Sequence, residues 1–455
     1  MSTSVKLSRF FLFLAPFAVF IVSPATLFPF IVGKYAFFRL CVDLALIFFV
    51  WAWASGKVQV HWKQLKKPLA IGVAIWVIIF LIASVFAYDP WAAFWGNFER
   101  GEGGVQLLHL FIFFFLLTTL LRSKEDWKKM LKFMLGAAAT VVVYGLLAGT
   151  AGFIGPNFAL STRFQGSLGN PDYTGQFMIF TVFFSLYLML NTEHGKKNRN
   201  WYGLLAILFF VVFILSETRG AFLGFAAGAA MVLVYLAFTW PKKKTKAVFI
   251  GILALLVIGL GVFIDFRHSS FIKNLPVVGR FADISVQSGA ARIWTWGSAL
   301  KGIEARPLLG WGPENFSVLF DKYFDTRHFD PTNPSSQTWF DRAHSVFFDY
   351  GSETGLLGLA AYLGMFVLYY VQFFKTRINT DEKRINMDNG NQHQSANTSI
   401  NPRVIVTRSL FFAMPIAYLV TGATLFDVLP MYISLFVFLA LSNHELGINH
   451  HEHQS

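Results

Sequence analysis

The chain has 455 residues, 55% of them hydrophobic, including 53 Phe, and 14% charged, where a soluble domain carries roughly 25% charged residues. With a mean hydropathy of +0.52, that composition excludes an ordinary water-soluble fold. The net charge of +13 does not point to nucleic acid, because the basic residues sit in separate short connectors and form no continuous stripe with interleaved aromatics.

Runs of about 18 or more apolar residues mark membrane-spanning helices. About twelve are expected, centred near residues 20, 45, 78, 112, 140, 181, 209, 230, 256, 364, 417 and 435, the last two split at Asp427 to Pro430. The first follows Lys6 and Arg9, is too long for a signal-peptide core and has no small-residue cleavage site behind it, so a retained anchor is expected. Residues 1–264 thus form a nine-span region. Within it, Leu204 to Leu236 as one helix at about 1.5 Å per residue would reach roughly 50 Å, against a hydrocarbon core of ~30 Å. A break is therefore predicted at Ser216-Glu-Thr-Arg-Gly220.

Residues 265–345 form a long polar loop, in which Gly289 to Leu300 reads as an amphipathic helix and Pro307 to Phe316 as a tight turn. Residues 346–442 supply three more spans, interrupted by a linker near 376–406 whose low apolar content predicts disorder. The tail, 443–455, carries His444, His450, His451 and His453, which fit either a metal site or a plain solvated tail.

Lys and Arg gather in alternate connectors: Lys6 and Arg9, Lys57 to Lys67, Arg122 to Lys132, Lys196 to Arg199, Lys242 to Lys246, and Lys375 to Arg384. By the positive-inside rule both termini face the cytoplasm and the remaining connectors face outward. The expected fold is an all-α polytopic membrane protein, N-in and C-in, with one long, partly helical periplasmic or extracellular loop. Cys41, the only cysteine, falls in the second span, so that loop holds no disulfide and no thiolate metal site. No internal repeat of the kind many transporters carry is visible.

The outward connectors differ chemically from the inward ones. They contribute Glu99, Arg100 and Glu102, then Arg163 to Asp172, then Glu217 and Arg219, and from the long loop Arg292, Glu314, Asn315, His344 and Glu353. Arginine suits a diphosphate, because its planar fork makes paired hydrogen bonds and stays charged. An imidazole with an ordinary pKa of about 6.5 suits a general base. Taken singly, each residue also has a plain structural use: an arginine at a helix end snorkels to the interface, and His344 and Glu353 could each satisfy a helix start. There is no Asp-x-Asp pair, no Gly-Lys-Ser/Thr phosphate loop and no His-Glu-x-x-His helix, which predicts chemistry without metal or other cofactor and with a pre-energised donor.

Several of these segments resemble, in order, the O-antigen ligase and O-antigen polymerase superfamily of bacterial membrane glycosyltransferases. They are Trp95-Gly-Asn-Phe-Glu-Arg-Gly-Glu-Gly103, Arg163-Phe-Gln-Gly-Ser-Leu-Gly-Asn-Pro-Asp172, Ser216-Glu-Thr-Arg-Gly-Ala-Phe-Leu-Gly224, Arg292 with its Trp-rich helix, Gly310-Trp-Gly-Pro-Glu-Asn-Phe316, and His344 with Glu353-Thr-Gly355. The resemblance implies a multi-pass enzyme of the bacterial cytoplasmic (inner) membrane. It would pass a glycan from undecaprenyl diphosphate to an acceptor hydroxyl on lipid A core, another glycan or a protein. It further implies that Arg219 and Arg292 clamp the diphosphate and that His344 activates the acceptor, while it assigns no work to Glu99, Arg100 or Glu102; Arg163, Glu353, Glu314 and Arg100 are candidate supporting residues from their place in the outward connectors. Asp172 stands where many relatives have Asn. A polymerase of the same superfamily, a lipid or solute transporter and an interaction scaffold are the competing readings. For transport, Asp43 and His109 are the polar groups inside spans.

Overall fold

The structure, a computed structural model, describes residues 1–97, 99–150, 163–192, 195–274, 279, 286–329, 339–390 and 401–446. All its regular elements are helical. First come α1 (Thr3–Leu14), continued by a 3-10 turn at Ala15–Phe20, α2 (Val32–Ala54), α3 (Trp62–Leu65), α4 (Pro68–Val85), α5 (Pro90–Trp95), α6 (Gly104–Leu120) and α7 (Lys124–Thr150). Then follow α8 (Pro171–Asn191), α9 (Gly195–Leu215), α10 (Arg219–Thr239) and α11 (Lys243–Phe266). The long connection holds α12 (Ser270–Lys273), α13 (Val286–Ala305), α14 (Phe316–Lys322) and a 3-10 turn at Thr326–His328. Last are α15 (Val346–Glu353), α16 (Gly355–Gly390), α17 (Pro402–Gly422) and α18 (Leu429–Glu445).

Ten helices among the described residues are long and apolar enough to cross a membrane. α6 and α18, of 17 residues each, fall where spans near residues 112 and 435 are expected. The first span is displaced from its expected centre near residue 20 and occupies Thr3–Phe20. The cause is proline: Pro16 opens the 3-10 turn, and Pro24 and Pro29 keep the apolar residues that follow out of regular helix. The predicted break between α9 and α10 is present at 216–218, with Glu217 at φ +49°. α16 runs on to Gly390, into the segment expected as linker; residues 391–400 lie outside the described residues. His444 belongs to the buried last turn of α18, its ring 5.8 Å from that of Trp127 on α7. His450, His451 and His453 lie outside the described residues.

Of the ten long apolar helices α8 is the most enclosed, with 78% of its span buried, whereas none of α11 is. The start of α8 is fixed locally: Pro171 needs no amide partner in the first turn, and the Asn170 side chain accepts from the Asp172 N–H at 2.8 Å. In lipid, apolar burial gives helices little reason to associate, so packing and interhelical hydrogen bonds must do it. Tyr369 and Tyr370 on α16 donate to the carbonyls of Phe411 and Phe412 on α17 at 2.7 and 2.8 Å. α10 lies directly against α17: a Cβ on Gly224 would come within 2.5 Å of the Ala417 carbonyl oxygen.

The connectors sort by chemistry to opposite ends of the bundle. At one end Arg9 pairs with Asp126, Arg122 donates to the Gln59 carbonyl at 2.7 Å and Lys67 to that of Asn443 at 2.8 Å. At the other end meet the 96–103, 163–172, 216–218, 306–315, 339–345 and 423–428 connections.

The close crossing of α10 and α17 gives a direct test. Gly224→Leu is expected to destabilise the folded protein by about 1–3 kcal/mol. Gly251→Leu on α11, where a Cβ meets nothing within 4 Å, should leave the midpoint unchanged. Thermal unfolding of the two variants in the same detergent measures the difference.

Candidate active site

At the end opposite the basic connectors a cavity of about 370 Å³ is lined by Glu99, Arg100, Asn170, Asp172, Tyr173, Gln176, Trp339, Asp341, His344, Leu425 and Phe426. His344 lies two residues before α15 with φ +58°, a left-handed conformation that is unusual for a side chain other than glycine. Its Nδ1 donates to the Arg342 carbonyl at 3.1 Å, which leaves Nε2 as the acceptor nitrogen. The ring stands edge-on between Phe340 and Phe426, at centroid distances of 5.5 and 5.0 Å. Burial lowers its pKa below the ordinary 6.5; the Arg342 carbonyl opposes that shift, and the nearby Arg292 charge adds to it. The lowering favours the neutral form of the imidazole.

Arg292 is half-buried on α13. Burial lowers its pKa and Asp172 raises it, so its charge acts on both Asp172 and His344. Arg100 is buried and forks onto Asp341 at 2.7 and 3.2 Å, while its remaining nitrogen donates to the Tyr173 hydroxyl at 2.8 Å. Its guanidinium also covers Phe426, 4.9 Å from the ring centre. Burial raises the Asp341 carboxyl, but the hydrogen bonds and charge of Arg100 outweigh that and hold it below the usual range.

Arg163 ties the 163–172 segment to the α9–α10 break. It donates to the Ser216 carbonyl at 2.9 Å, to Thr218 Oγ1 at 3.0 Å and to Asp172. Thr218 in turn donates to the Pro171 carbonyl at 2.9 Å. Arg219 is the first residue of α10, immediately after Thr218, and is outside the cavity lining itself. Its neighbour Gly220 packs against Thr424 and Leu425, and Leu425 lines the cavity.

Glu314 and Glu353 approach neither His344 nor Arg292. Both bond Arg342, together with Glu102: Nη1 donates to the two Glu353 oxygens at 2.9 Å each, and Nη2 to Glu102 at 3.2 Å and to Glu314. Burial pushes the Glu102 carboxyl up to about 8 against the lowering by Arg342, and it raises Glu353 well above its usual range. Arg342 is the main residue that sequence reasoning missed. No local signal marked it, because residues 339–345 form no regular element and so have no period that assigns their faces.

Behind the cavity, Gln176 donates to Asp427 at 3.3 Å, the Tyr418 hydroxyl donates to the other Asp427 oxygen, and Tyr362 donates to Tyr418 at 3.0 Å. Burial pushes Asp427 up to about 7. Of the other loop histidines, His328 is enclosed by Trp294, Phe320, Phe324 and Phe340, and His268 is exposed beside Arg267. Asp43 and His109 pair with each other at 3.1 Å.

No curated protein matches the chain. The family model described as O-antigen ligase matches residues 204–363, the stretch that holds Arg219, Arg292, Glu314, Arg342, His344 and Glu353. Over that stretch, this multi-pass membrane protein is similar to the O-antigen ligase family.

Proposed function

We propose that this protein is a glycosyltransferase of the O-antigen ligase type, moving a glycan from undecaprenyl diphosphate to an acceptor hydroxyl at the outer face of the cytoplasmic membrane. The supporting observation is one cavity, at the end opposite the basic connectors, that holds a neutral imidazole within the electrostatic reach of Arg292. In this reading His344 Nε2 takes the proton of the acceptor hydroxyl as its oxygen bonds the anomeric carbon. The bond from that carbon to the diphosphate oxygen breaks in the same displacement and the configuration inverts. The diphosphate leaves with the bonding electrons, and the imidazolium returns its proton to water.

Arg219 and Arg292 offset the charge growing on the diphosphate; fixed donors of this kind do so without reorganising. They take the place of a divalent cation. A transport reading finds little support in the spans, since Asp43 and His109 satisfy one another. The acceptor separates ligase from polymerase.

Membranes holding the full chain, given a lipid-linked oligosaccharide with lipid A core, the same oligosaccharide or a protein as separate acceptors, test the reading. His344→Ala should lower kcat by about 10²–10⁴-fold, and Arg219→Ala and Arg292→Ala each by about 10²–10³-fold. Full transfer by the His344 and Arg219 variants together would remove the assignment. Addition of EDTA should leave the wild-type rate unchanged.

The pH profile follows from the neutral imidazole. A base whose pKa lies below 6.5 is fully competent above that pH and is lost only as pH falls through its lowered value. The acid limb of kcat/KM should therefore lie below pH 6.5 and be absent from the residual activity of His344→Ala.

A further inference from the structure

The residues that hold His344 in place converge on Arg342. Its guanidinium is enclosed, with the residue 7% exposed, and its three carboxylate partners come from three separate segments. Glu102 precedes α6, Glu314 lies in the 306–315 turn and Glu353 ends α15. Two backbone amides add to the cluster: the Glu314 N–H donates to Glu353 at 3.2 Å and the Asn97 N–H to Glu314 at 3.2 Å. Gly310, at φ +68°, lets the turn approach so closely that a Cβ there would meet the Glu353 backbone at 2.5 Å.

The next two residues are fixed from the same place. The Ala343 N–H donates to Asp349 at 2.7 Å, and the Ala343 carbonyl accepts from Trp296 Nε1 at 2.9 Å. Trp296 is one turn after Arg292 on α13, so the two share a helix face. The Arg342 carbonyl itself orients the His344 ring. A left-handed residue other than glycine costs of order 1–3 kcal/mol and persists only where its surroundings over-determine it. Around His344, those surroundings are the Arg342 cluster on one side and Trp296 on the other.

We infer that Arg342 is a positioning residue for the reaction: by gripping Glu102, Glu314 and Glu353 it sets the backbone of residues 342–344, and with it the aim of His344 and its distance from Arg292. This inference rests on His344 being the base. Lysine keeps the charge but cannot reach three carboxylates with a planar fork.

The test is a cycle of Arg342→Lys, His344→Ala and the double variant in membranes holding the full chain, with lipid-linked oligosaccharide as donor and lipid A core as acceptor. Arg342→Lys should lower kcat about 10²-fold, the cost of misplacing a reacting group by about 1 Å, with KM for the donor unchanged. On the His344→Ala background it should have no further effect. An equal loss in both backgrounds, or a loss confined to KM, would overturn the inference. A fully active His344→Ala would instead remove the base assignment beneath it. Where Arg342→Lys does not accumulate, the same cycle with Glu314→Gln, which preserves side-chain shape, decides the matter by the same outcomes.

Discussion

One guanidinium enclosed with three carboxylates is the interaction on which the site end of this molecule depends. Removing ions from water is costly, and a buried ion pair recovers that cost only with good geometry and further hydrogen bonds. Arg342 meets the condition, since one nitrogen serves both oxygens of Glu353 and another is shared by Glu102 and Glu314. Three carboxylates exceed what one cation can balance, and burial accordingly raises the pKa of Glu102 and Glu353 against the lowering by Arg342. The directional bonds of the cluster fasten three connectors together.

The bilayer imposes the rest. It satisfies no backbone group, so every crossing is a helix, and polar chemistry is pushed to the connectors. The two ends of the bundle use that freedom differently. One bears lysines and arginines bonded to backbone carbonyls and single acids, an arrangement that suits an electrostatic anchor. The other has arginines matched to carboxylates in fixed pairs, Arg100 with Asp341 and Arg163 with Asp172. These pairs leave a cavity whose charged walls are already immobilised.

Much of this was legible in the sequence, for identifiable reasons. Apolar run length located the spans, and the excess length of Leu204 to Leu236 located the α9–α10 break. The sign of the connectors grouped Arg100, Arg163, Arg219, Arg292 and His344 at one end before any geometry was available. The first span was misplaced because hydropathy is blind to Pro16, Pro24 and Pro29. The partners of Glu314 and Glu353 were out of reach, since connections across 28 and 11 residues to Arg342 have no local periodicity. His444 looked like tail for a related reason: its burial depends on Trp127, a residue of α7.

Backbone strain joins these points. Among the described residues, Glu217, Glu314 and His344 have positive φ without being glycine, and each comes from a different connector of the same end. Glu217 lies between Ser216 and Thr218, both bonded by Arg163; Glu314 is gripped by Arg342; His344 follows Arg342 by two residues. Strain of this kind relaxes unless neighbours forbid it, and here the neighbours are buried or half-buried arginines. Those arginines therefore have a task distinct from touching substrate: they keep three connectors in conformations the chain would otherwise leave. An imidazole held in this way has its orientation set by the fold before any ligand binds.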